Sequence, residues 1–178
     1  MNIKQLIRSV PNFPKPGIMF RDITPLLADA GGLRHVTSAF HDRYAGKVDK
    51  VVGIEARGFI FGAPLAHALG VGFVPIRKPG RLPHTSIGQD YALEYGTNRI
   101  EVHVDGVARG ERVVLVDDLL ATGGTMAAAI TLLEHPDVGA KIVECAFVID
   151  LVDVGGRTKL ETSGHRVFAL CEFTEDEG

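Results

Sequence analysis

The segment VVLVDDLLATGGTMAAA, residues 113–129, gathers the residue types that handling a sugar phosphate requires. An apolar run ends in the acidic pair Asp117 and Asp118, after which Ala121, Thr122, Gly123, Gly124 and Thr125 lead into an Ala-rich stretch that favours helix. Glycines at 123 and 124 let the backbone take positive φ and bring N–H groups close to an anion. Thr122 and Thr125 add hydroxyls, and the helix start adds positive dipole. Two adjacent carboxylates suit the vicinal hydroxyls of a ribose, or a magnesium ion carried in on phosphates. A lone Gly-Gly turn would read as a solvated strand end; the acidic pair, two threonines and a helix start in one register point to a phosphate cup beside a sugar. Neither G-x-x-x-x-G-K-[ST] nor G-x-G-x-x-G occurs, which weighs against ATP hydrolysis and dinucleotide binding. The chain also lacks H-E-x-x-H and G-x-S-x-G, so neither a zinc-protease site nor a hydrolase elbow is expected.

The elements that must hold this cup follow from hydrophobic periodicity. VVGI (51–54), VGFVPI (71–76), VVLV (113–116), KIVECAFVIDLV (141–152) and VFALCEF (167–173) are apolar runs of strand type. Between them, Leu33, Val36, Phe40 and Tyr44 recur at helical spacing. IFGAPLAHALG (60–70) reads as a helix ending at glycine, and a further helix runs over Thr125–His135. Ile3, Leu6, Ile7 and Val10 predict a short N-terminal helix stopped by Pro11. Residues 77–89 read as a long loop, followed by the alternating run 99–104 as an excursion from the sheet. Buried strands alternating with helices give an α/β fold: a central, mostly parallel sheet flanked by helices. In such sheets the ligand crevice lies beyond the carboxyl ends of the strands. Three loops are therefore candidates: Glu55–Gly58, Arg77–Arg81 and Asp117–Thr125.

Length and composition agree with one ordinary domain over 1–178: 46% apolar and 23% charged residues in 178. A net charge of −3 leaves no basic surface for nucleic acid or an anionic membrane, so an acidic ligand must be caught locally. No apolar stretch reaches membrane length, no secretory leader is visible, and Cys145 and Cys171 sit in apolar runs as free thiols do in a reducing compartment; a cytoplasmic location is expected.

The acidic pair followed by ATGGT resembles the phosphoribosyl-diphosphate motif of type I phosphoribosyltransferases. FPKPGIMFRDITPLL (13–27), GIEARGFIFGAPLA (53–66), IRKPGRLP (76–83) and YALEYG (91–96) extend that likeness, in the same order, to the adenine branch of the purine phosphoribosyltransferase family. The resemblance covers nearly the whole chain. It implies transfer of the phosphoribosyl group from 5-phosphoribosyl 1-diphosphate to N9 of adenine, giving AMP and pyrophosphate in purine salvage. It also implies a small hood from about 1–30, a flexible loop over about 80–104, and a homodimer. Magnesium would arrive bound to the diphosphate, with no protein-only metal site.

Residue by residue, the cup 121–125 would take the 5′-phosphate, and Asp117 and Asp118 the ribose hydroxyls or the magnesium. Arg57, with Arg77, Lys78 and Arg81, would hold pyrophosphate, for which a fork of N–H donors is suited. The base would lie between Phe20 and Leu119, its Watson–Crick edge read by the backbone at Met19 and Arg21. Arg57 and Glu94 are the residues assigned to catalysis, Glu94 as general acid/base from a loop that closes over the donor. The rival readings are the same chemistry on a 6-oxopurine, and a non-catalytic sensor of phosphoribosyl diphosphate.

Overall fold

A computed structural model describes residues 1–93, 96–174 and 177. Its centre is a five-stranded parallel sheet of order β4-β3-β7-β8-β9: β3 (Lys50–Ile54), β4 (Gly72–Ile76), β7 (Arg112–Leu120), β8 (Lys141–Leu151) and β9 (Val167–Phe173). The apolar strand runs need a layer on each face. Along β7, Val113 and Leu115 enter one core and Val114 and Val116 the other. The first core is closed by α4 (Gly124–Glu134) and α5 (Gly156–Thr162), the second by α2 (Ala30–Tyr44) and α3 (Arg57–Leu69). Helix α2 is opened by Asp29, which accepts from Gly32 N–H at 2.6 Å, and α3 is closed by left-handed Gly70.

Strand order reverses between β3, whose chain proceeds to β4 on one side, and β7, whose chain proceeds to β8 and β9 on the other. Ligands of open α/β sheets bind at such a reversal. The loops that follow these two strands contain Arg57 and the segment 121–125.

The structure corrects the reading of the N-terminus. Only Ile3–Leu6 is helical, as one 3-10 turn; Arg8–Pro11 is a strand, β1, paired antiparallel with β2 (Met19–Asp22). Ile3 and Ile7 are buried beneath the helices, which is what their helix-like spacing records, while pairing with a strand eleven residues downstream decides the backbone. The short α1 (Thr24–Ala28) then leads to α2. The loop read over 77–89 ends at Ser86: β5 (Ser86–Leu93) and β6 (Gly96–His103) form an antiparallel hairpin, and Ile100 and Val102 enter the core. Both cysteines are unpaired, Cys145 buried and Cys171 half-buried. No helix among the described residues is long and apolar enough to cross a membrane.

One charged cluster is built far from the sheet reversal. Glu144, 3% exposed near the start of β8, accepts from Arg43 Nε at 2.5 Å and Nη2 at 2.8 Å and from the buried Tyr44 hydroxyl at 2.8 Å. Arg166 stands 3.3 Å away.

Candidate active site

Strand β7 does not stop at Val116, as its apolar run suggests, but carries Asp117 through Leu120 into the sheet against Phe147, Ile149 and Asp150 of β8. This fixes Asp117 and Asp118 on a rigid central strand. The chain then turns at Gly123, whose φ of +73° suits glycine, into α4. No side chain among the described residues caps that helix start, so its first N–H groups face a cavity of 170 Å³ lined by Arg57, Asp117, Asp118, Leu119 and residues 120–126. All of the residues read as cup and ribose site thus share one cavity.

Arg57 reaches that cavity because the first turn of α3 lies directly on the end of β7. A methyl group at Gly58 would sit 2.6 Å from the carbonyl oxygen of Val116 and 3.2 Å from Asp117 Oδ1, so only glycine permits the approach. Arg57 Nε lies 2.7 Å from Asp118 Oδ2, with the arginine half-exposed and the carboxylate buried. Asp117 keeps some surface open to the cavity, but the mass of protein around it desolvates the carboxyl. Burial and the neighbouring Asp118 charge hold its pKa well above the usual carboxylate range, against the pull of the Asp118 N–H at 2.9 Å and of Arg57.

The second basic loop is organised by a residue the sequence reading did not single out. Glu55 Oε2 accepts from Arg77 Nε at 3.0 Å and from the Lys78 N–H at 2.8 Å, and Arg81 Nε lies 3.7 Å from its other oxygen. The Arg77 hydrogen bond leads in holding the Glu55 pKa below its ordinary value, against burial. Arg77 also exchanges backbone hydrogen bonds with Glu101 of the hairpin at 2.9 and 2.8 Å. The sequence signal existed: an acid two residues before Arg57, at the end of a buried strand.

Phe20 meets Phe13 edge-on at 5.1 Å and lines an adjoining apolar cavity of 520 Å³ that also touches Arg57 and Ile60. Leu119 lines the cup cavity, and Arg57 is common to both. Met19 lines a third cavity with Leu151, Val154 and Phe173. The Arg21 side chain is almost wholly buried and committed elsewhere. It donates to Ser9 Oγ, to the Thr174 carbonyl at 3.3 Å and to the Glu177 carbonyl at 2.5 Å, and lies 4.3 Å over the Phe173 ring; burial lowers its pKa, which Glu177 partly offsets. Strand β5 runs over the cup rim, where a methyl at Gly124 would be 3.7 Å from the Ala92 carbonyl oxygen. Glu94, two residues on, lies outside the described residues.

A glycine-turned helix start and an acidic pair lie together at the reversal of a parallel sheet, and residues 23–171 match the family model for the phosphoribosyl transferase domain, which makes the chain a phosphoribosyltransferase. Adenine phosphoribosyltransferase of Methylobacillus flagellatus is 59% identical over 178 residues, 99% of this chain and 100% of the relative. That of Nitrosomonas europaea is 55% identical over 176 residues, 98% of this chain and all of the relative. The crystal structure of adenine phosphoribosyltransferase from Thermoanaerobacter pseudethanolicus superposes with a TM-score of 0.90 at 48% identity, covering 96% of this chain and 98% of that one. The Saccharomyces cerevisiae enzyme, complexed with an imino-altritol bisphosphate and adenine, gives 0.89 at 40%, covering 95% and 96%. The chain belongs to the adenine phosphoribosyltransferase family.

Proposed function

We propose that this site transfers the phosphoribosyl group of 5-phosphoribosyl 1-diphosphate to N9 of adenine, releasing AMP and pyrophosphate. The observation that carries it is the convergence, in one cavity, of an uncapped helix start, two strand-borne carboxylates and Arg57 paired to one of them. The cup holds the 5′-phosphate while Asp117 and Asp118 accept from the ribose hydroxyls, so the anomeric carbon is fixed as the bond to pyrophosphate breaks and the bond to N9 forms. Arg57, half-exposed between Asp118 and the neighbouring cavity, takes the charge that develops on the leaving pyrophosphate. Magnesium would enter on the donor's phosphates beside Asp117 and Asp118. Magnesium there would neutralise phosphate charge.

The base reading gains support from β2. Pro11, opposite Met19, has no N–H to exchange, as suits a non-hydrogen-bonded pair; by alternation Ser9/Arg21 would be another. The N–H and C=O groups of Met19 and Arg21 then face away from β1, two donors and two acceptors at a spacing that an adenine edge can meet. The homodimer belongs to the same reading, and light scattering at working concentration checks it.

The direct test is AMP formation by chromatography from adenine, phosphoribosyl diphosphate and magnesium, beside hypoxanthine, guanine and xanthine. Adenine alone is expected to react. Turnover of another base would keep the donor site and overturn the base reading; donor binding without any turnover would favour the sensor. Glu94→Gln is expected to lower kcat by about 100-fold, at little cost in donor affinity. An unchanged kcat would remove Glu94 from the proton transfer.

Glu55 acts as a stand-in anion for the pyrophosphate loop. Glu55→Gln, which keeps a carbonyl for Lys78 N–H but drops the charge facing Arg77 and Arg81, is expected to tighten magnesium-pyrophosphate binding about two- to fivefold by calorimetry. Weaker binding would show that Glu55 serves to order the arginines instead.

A further inference from the structure

Residues 121–125 are backed by the end of β8 and the start of α5. Asp150, at the end of β8, stands opposite Leu120 in the sheet register, one residue before the cup begins. It is fully buried, and Arg157 Nε donates to its Oδ2 at 2.6 Å. The same guanidinium donates to the Val167 carbonyl at 3.3 Å and to Glu172 Oε1 at 3.2 Å, both on β9. Arg157 therefore joins the first turn of α5 to the ends of two strands. Directly before it, Gly156 packs so closely on the cup that a methyl group there would run into the Ala121 carbonyl oxygen. A methyl at Gly123 would in turn lie 3.2 Å from the Gly156 carbonyl oxygen. The cup's first and third residues thus rest on one backbone unit, and the position of that unit is set by the Asp150–Arg157 pair.

We infer that Arg157 is a positioning residue for the 5′-phosphate: through Asp150 it fixes Gly156, and through Gly156 the backbone of Ala121 and Gly123. A buried ion pair adds little stability beyond an apolar pair of the same volume, but it fixes a distance and a direction that apolar packing leaves loose. Cup N–H groups displaced by a fraction of an ångström lose the phosphate while leaving the pyrophosphate half of the donor site, built on Arg57 and the 77–81 loop, in place.

The inference rests on the reading of 121–125 as the 5′-phosphate site, and its test separates the two. Affinities for ribose 5-phosphate and for magnesium-pyrophosphate are measured by calorimetry on the full chain. Arg157→Met is expected to weaken ribose 5-phosphate about 10- to 100-fold, with pyrophosphate within about twofold and most of the loss recovered in Arg157→Lys. Equal losses for both ligands, or an unchanged ribose 5-phosphate affinity in the folded variant, would overturn the role. Should Arg157→Met not fold, Gly156→Ala keeps Asp150 and Arg157 and pushes on Ala121 and the Leu120 side chain; the same selective loss supports the inference and unchanged affinity refutes it. Thr125→Ala tests the cup directly. If it weakens ribose 5-phosphate while Arg157→Met does not, only the positioning role fails. If it has no effect, the cup reading fails and the inference with it.

Discussion

Asp118→Asn is expected to reduce kcat/KM for phosphoribosyl diphosphate by about 100-fold, the scale of a charge-assisted hydrogen bond lost inside a site. The carboxylate is buried, it sits on a strand paired with β8, and Arg57 is 2.7 Å away. Asparagine keeps the shape but presents an amide that can turn its N–H groups toward Arg57 and the ribose, where acceptors are needed. Initial rates by AMP chromatography decide it, and wild-type kcat/KM would remove Asp118 from the sugar site.

Asp117→Asn should lose activity too, yet stabilise the free protein. Burial and Asp118 raise the Asp117 pKa in the folded state. Ionising a group so raised costs stability. That cost is absent below the unfolded-state pKa, develops as pH rises, and is complete above the folded-state pKa. The variant's gain in melting temperature is therefore expected at pH 8 and not at pH 3.5. A lower melting temperature at pH 8 would show that the Asp118 N–H and Arg57 outweigh desolvation.

The largest loss of stability is expected at the other end of the sheet. Glu144→Ala removes the acceptor of Arg43 and of the buried Tyr44 hydroxyl and should cost about 3 kcal/mol in denaturant unfolding, as breaking a buried pair does. Activity at 25 °C should be retained, since Glu144 faces Val114, six residues before the strand end at Leu120 that carries the cup. Burial pushes the Glu144 pKa up, but hydrogen bonds from Arg43 and Tyr44 and the charges of Arg43 and Arg166 leave it below the ordinary 4.5. A depressed carboxyl contributes stability that is present above its unfolded-state pKa and lost as pH falls through the folded one. Wild-type melting temperature should thus fall below about pH 4.5 more steeply than that of Glu144→Gln. Equal slopes would place the acid sensitivity elsewhere.

Elements made of local pattern were legible from sequence: the buried strands, α2, α3 and α4, and with them the loops that meet at the reversal. What escaped depended on distant partners. Arg8–Pro11 is extended because Met19–Asp22 pairs with it. Asp117–Leu120 stays in the sheet because β8 flanks it. The hairpin from Ser86 begins in a run whose glycine and polar residues mask its alternation, and α5 is seven residues long with only Leu160 fully buried among its side chains. In the site, the grouping of Asp117, Asp118 and 121–125 followed from sequence position, and that of Arg57 with them from its strand-end position together with the family resemblance. Glu55 and Arg157 did not, because each acts through another residue, and spacing carries no trace of a contact across a sheet.

The unpaired cysteines make the protein convenient for spectroscopy. Burial pushes both thiols up to about 12, so at neutral pH neither supplies an appreciable thiolate to a maleimide. A single cysteine introduced at exposed Thr97 on the hairpin would then be labelled selectively, with both native thiols left in place. A fluorophore there tests whether the hairpin moves when the donor binds.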